Sequence, residues 1–100
     1  MDLDYNCIQE LPPEIGELSN LKALWLCNNQ LWDLPEEMKK LKKLEKLYLG
    51  NIKFEIFPEV LKKIKNLKEL YIDKDYRVKF RKEINILEKY NKNLNIINYS

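Results

Sequence analysis

Apolar residues along this chain fall on a comb. Leu21, Leu24, Leu26, Leu31 and Leu34 are followed, each 23 positions on, by Leu44, Leu47, Leu49, Phe54 and Phe57. The same interval taken backwards reaches Leu3, Ile8 and Leu11. Pro12, Pro35 and Pro58 share the register, as do the pairs Ile15/Leu18, Met38/Leu41 and Leu61/Ile64. One further step gives Leu67, Leu70, Ile72 and Asp75, after which the pattern loosens. The LxL alternation in each unit has the period of a strand with one buried face. A single short strand cannot bury that face, so successive units must stack in parallel and share one core. Past each proline the apolar spacing relaxes to three, as in Pro35, Met38, Leu41 and Leu44. That predicts a turn or two of helix or 3₁₀ on the outer side, with the proline near its start.

Each unit reads LxxLxLxxNxLxxLPxxφxxL, where φ is apolar. Recurring in register over about residues 2 to 75, this pattern resembles the leucine-rich repeats of intracellular signalling adaptors and bacterial repeat proteins. The resemblance implies an α/β solenoid of about four repeats, forming one domain over residues 1–100. It implies a right-handed superhelix with a parallel concave sheet, short helical or 3₁₀ convex segments and a C-terminal cap helix. It also implies protein–protein recognition through the concave face. The motif asparagine has a physical task, because its amide can bond backbone groups in the turn where no ladder partner exists. Asn6 and Asn29 occupy that slot, Ile52 replaces it and Asp75 approximates it. At Ile52 two readings stay open: Asn51 swings in, or the replacement is simply apolar.

The two ends differ. DYRVKFRKEINILEKYNKN reads as a longer helix built on Phe80, Ile84 and Leu87, opening a C-terminal cap over about residues 76–100. Leu94, Ile97 and Tyr99 then restore the LxxLxL spacing and predict a closing strand. The N-terminus begins in mid-repeat, with Leu3 already in a strand slot, and so presents an open edge. Either the chain is part of a longer solenoid, or its open end packs on another copy to form a homodimer.

Stacked strands turn each outward slot into a column. One column holds Asp2, Trp25, Tyr48 and Tyr71, with strands about 4.8 Å apart, which predicts an exposed aromatic ladder. The next holds Asp4, Cys27, Gly50 and Asp73, a small-residue groove beside Tyr48, and the one after holds Tyr5, Asn28, Asn51 and Lys74. Ala23, Lys46 and Glu69 lie on the other flank. The expected partner-binding set is therefore Trp25, Tyr48 and Tyr71 as anchors, with Asp4, Asp73, Lys46, Glu69, Asn28 and Asn51 around them. Aromatics dominate protein-binding hot spots, but cross-strand aromatic pairs also stabilise a sheet by themselves. Trp32 stands where neighbouring units have Gln9 and Glu55, and it either extends an interface with Ile56 or covers imperfect packing.

Composition removes other functions. The charge of +2 from 18 basic and 16 acidic residues is too balanced for a dedicated nucleic-acid binder. The lysines of MKKLKKLEK and VLKKIKNLK belong to a solvated outer face diluted by glutamates. No apolar run approaches the roughly 18 residues of a membrane span, and the opening MDLDYNCIQELPP is no signal peptide. A cytoplasmic location follows, or secretion if a longer protein surrounds this chain. Two cysteines without CxxC spacing, Cys7 and Cys27, argue against a zinc site or disulfide framework. With zero histidines, no base is present to activate either thiol. Carboxylates at Glu10, Glu14, Glu17, Glu36 and Glu37 sit on outer turns, and neither Gly16 nor Gly50 opens a phosphate loop. No enzymatic role and no cofactor are expected. The abundance of lysine, asparagine and isoleucine points to an AT-rich bacterial genome, and hence to part of a secreted or surface recognition protein as a further alternative.

Overall fold

Residues 1–52 and 54–99 are described by a computed structural model. Strands β1 (Ala23–Trp25), β2 (Lys46–Tyr48), β3 (Glu69–Ile72) and β4 (Asn95–Asn98) form one parallel sheet in sequence order. Leu24, Leu47, Leu70 and Ile96 are in register and all point into the core. Three outer 3₁₀ turns, Pro13–Glu17, Glu36–Lys40 and Glu59–Lys63, each follow one of the motif prolines. Proline suits that position because its fixed φ pre-forms the turn and the missing N–H would have had no partner there. Met38 and Leu61 point inward from these turns, and Leu41 and Ile64 follow them into the core. The first turn comes close enough to the second that a Cβ on Gly16 would overlap the Glu37 carbonyl oxygen.

Residues at the N-terminus extend the sheet beyond β1. Asp2 bridges to Trp25, and the Leu3 and Tyr5 amides donate to the carbonyls of Trp25 and Cys27 at 2.8 and 3.0 Å. Leu3, Ile8 and Leu21 pack on the core there but stay partly exposed.

The cap departs from expectation in two ways. In place of one helix there are two, α1 (Lys74–Lys79) and α2 (Arg81–Tyr90), broken at Phe80 where ψ rises to 33°. Phe80 is buried edge-on against Phe57 (5.6 Å between ring centroids), and Tyr76 packs beside both Phe54 and Phe80. Ile84 and Leu87 continue the same face. The second departure is one of register. Ile97 and Tyr99 were expected to point inward, yet Ile96 pairs with Leu70 and fills the core slot, while Ile97 pairs with Tyr71. The helices add three residues to the repeat spacing, and a one-residue difference in strand register exchanges the two faces. Ile97 and Tyr99 therefore lie on the concave side.

Among the described residues, the motif asparagine bonds its turn in only one unit. Asn29 is buried; its Nδ2 donates to the Leu3 and Leu26 carbonyls, and its Oδ1 accepts the Asn6 and Ile8 amides. Asn6 is exposed, because no earlier strand of this chain lies beside it to be bonded. Ile52 is a buried apolar replacement, and Asn51 stays outside. Asp75 does not approximate the motif residue: it sits exposed in the first turn of α1, where a carboxylate complements the helix dipole.

Candidate functional site

The concave sheet lines up the expected aromatic column. Trp25 and Tyr48 stack with centroids 4.7 Å apart and planes 5° from parallel, and Tyr48 and Tyr71 follow at 4.1 Å and 12°. In-register parallel pairing forces this, since each ring leaves its strand at the same height and angle. The rings are half-buried rather than fully exposed, because each covers the faces of its neighbour. A partner would meet ring edges along the ladder. Tyr71 also donates its hydroxyl to Glu69 Oε1 at 2.6 Å, and that hydrogen bond is the main reason its phenol stays protonated well above the usual range. Glu69 is thereby drawn into the ladder, whereas Lys46 beside it is exposed and has no ion pair among the described residues.

Asp4 and Asp73 do not stand as free rim charges. Asp4 Oδ1 accepts the Cys27 amide at 2.6 Å, and Asp73 Oδ2 accepts the Asn51 amide at 2.7 Å. Burial raises the Asp4 carboxyl above its ordinary value, outweighing the amide that favours its charge. Both carboxylates brace the bend that follows each strand. Tyr5, Asn28 and Asn51 occupy that bend with φ of 60°, 61° and 54°. Asparagine tolerates this left-handed conformation better than most side chains, which gives Asn28 and Asn51 a backbone role. The Asn51 side-chain Nδ2 donates to Asn28 Oδ1 at 2.7 Å. Lys74 leaves this column, because α1 begins there.

The groove expected between Cys27 and Gly50 is filled. Tyr99 reaches back from the end of β4 across the sheet and lays its ring on Gly50, where an added Cβ would overlap it. Cys27 is fully buried, and its Sγ accepts the Gly50 amide at 3.2 Å. Burial pushes the Cys27 thiol up, so it is not a reactive thiolate. Burial likewise raises the Tyr99 phenol, whose hydroxyl lies beside that thiol. Tyr99 is the concave-face residue that sequence reasoning missed. Gly50, small in a column that otherwise carries side chains, was the one signal for it.

Below the bend, Tyr5 and Trp32 line an open depression of about 570 Å³ together with Asn28, Gln30 and Asn51. They are 74% and 60% exposed, so neither covers a packing gap. Ile56 is exposed at 77% but does not line it. On the outer face the lysines are solvated and partly paired, as in Lys62–Glu59 at 2.9 Å and Lys68–Glu45 at 3.2 Å. Such pairs contribute little. Both cysteines are free. Among the described residues, no group of three or more histidines, cysteines or acids is placed to hold a metal, and no helix is long and apolar enough to cross a membrane.

Comparison with known proteins agrees with this architecture. A family model described as "Leucine-rich repeat region" matches residues 1–96. No curated protein matches the chain significantly. Among solved structures, the Leptospira interrogans LRR protein LIC12759 superposes with a TM-score of 0.70 at 36% identity, over 89% of this chain. The chain spans 22% of that protein.

Proposed function

The chain belongs to the leucine-rich-repeat family, and from that membership we propose that its concave sheet binds a protein partner through Trp25, Tyr48 and Tyr71. The observation that carries this reading is the half-buried ring stack, open along its edges and flanked by the exposed Lys46. Rigid aromatics lose little entropy on binding, and a pre-stacked set loses less. Asp4, Asp73, Asn28 and Asn51 act by holding the bends that fix the ladder's edge, while Glu69 fixes Tyr71. Recognition, not catalysis, is the proposed role, and residues 1–100 are read as one domain.

Peptide selection against the folded chain, counter-selected on the Trp25→Ala/Tyr48→Ala variant, tests this. Binders that lose affinity in the folded double variant support it. If the pair of changes leaves affinity intact, the concave reading is wrong. If it unfolds the chain, single Tyr48→Phe and Trp25→Phe variants separate binding from stacking.

A second reading rests on the N-terminal edge, where Leu3, Ile8 and Leu21 remain partly exposed beside an extended backbone. Self-association through that edge predicts a dimer in light scattering that Leu3→Lys dissociates; a monomer at high concentration dismisses it. Two free thiols, one fully buried, favour a reducing and hence cytoplasmic setting. The alternative, a segment of a secreted or surface bacterial recognition protein, draws on the Leptospira relative.

A further inference from the structure

We propose that the depression between Tyr5 and Trp32 is a binding site for a neutral saccharide, separate from the concave ladder. Both aromatics depart from the repeat and neither serves the core. Tyr5 stands in the bend position that Asn28 and Asn51 fill in the next two units, with φ of 60°. A bulky side chain is strained in that conformation, and the strain here holds a ring that is 74% exposed. Trp32 replaces the polar Gln9 and Glu55 of the flanking units and is 60% exposed. Three successive units thus contribute to one concavity of about 570 Å³, within the usual size of a small-ligand site.

The lining identifies the ligand's chemistry. Among the described residues it holds no charged side chain, in a chain that is 34% charged. What it offers is two ring surfaces and the carboxamides of Gln30 and Asn51, the latter already donating to Asn28. A carboxamide both donates and accepts, as does each hydroxyl of a sugar, and the C–H faces of a pyranose pack on aromatic rings. An anionic ligand would find no countercharge among these residues. A peptide held by its main chain needs free backbone groups, but the amides of Tyr5, Asn28 and Asn51 already bond Cys27, Gly50 and Asp73.

The test is an NMR titration that follows the two indole N–H signals, assigned with Trp25→Phe and Trp32→Phe. Probes are neutral cello-, chito-, manno- and galacto-oligosaccharides, with a proline-rich peptide and a sulfated oligosaccharide as alternatives. At least one neutral series should shift the Trp32 signal and leave Trp25 unmoved, with affinity around the millimolar range or tighter. Trp32→Ala and Tyr5→Asn should each weaken that binding about tenfold or more. Asn is the residue the bend accepts elsewhere in this chain, so Tyr5→Asn should melt no lower than the parent. The proposal is overturned if no neutral series moves the Trp32 signal, if only the peptide or the sulfated probe does, or if Tyr5→Asn keeps full affinity.

Discussion

Two successive turns of this solenoid solve the same backbone problem with different chemistry. In the turn at Asn29, one buried carboxamide reaches four backbone groups of its own and the preceding unit. One unit later Ile52 sits fully buried in the same slot and bonds nothing. Around it the backbone is bonded from outside at other positions: Asp73 takes the Asn51 amide, and Lys79 donates to the Phe54 carbonyl at 3.0 Å. The slot thus takes either a bonding carboxamide or an apolar side chain. Where α1 begins directly after β3, Lys79 reaches back to the preceding turn, and Ile52 adds to the core.

Five substitutions break or sharpen this contrast. The largest effect belongs to Asn29→Ala, which strands four backbone groups in a buried turn; we expect a loss of about 3 kcal/mol or more by chemical denaturation. Ile52→Asn should cost less than this, about 1–2 kcal/mol, because the introduced carboxamide would face backbone groups like those Asn29 bonds one unit earlier. Equal costs at the two sites would show that the slots are equivalent after all. Gly50→Ala, in the same turn, should expel the Tyr99 ring at a cost of about 1 kcal/mol. In a double-mutant cycle Tyr99→Ala should absorb most of that penalty, and additive losses would mean the ring does not rest on Gly50.

The smallest effect is one of pH. Burial, above all, raises the Tyr76 phenol to about 12, against 10.0 in the unfolded chain. The folded state therefore keeps a proton that the unfolded state has lost between those values, and stability falls as pH rises through that window. Tyr76→Phe should flatten the alkaline arm of the thermal midpoint without moving it near neutrality.

Much of the molecule was legible in one dimension. The repeat interval placed Leu24, Leu47 and Leu70 in one core column, and the same arithmetic placed Trp25, Tyr48 and Tyr71 in a concave column. Prolines marked the outer turns. Side-chain bonding was less legible. Asp4, Asp73 and Asn51 looked like surface groups, because the amides they meet belong to other units or to bends whose φ no single letter declares. Tyr5 and Trp32 could be seen to break the pattern, but that they line the same depression emerged only from the fold.

By itself, then, the sequence determined the parallel stack and the identity of every column up to Ile72, because strand period and repeat interval together decide which way each side chain points. What followed was decided in three dimensions. Two helices break the interval after β3, and no local preference then states whether Ile96 or Ile97 faces the core. Packing chose Ile96. That single step of register turned Tyr99 onto the concave face, where it found Gly50 and closed the groove. A repeat fixes orientation only while it lasts; beyond it, the core selects the register that buries the most apolar surface, and the outward residues follow.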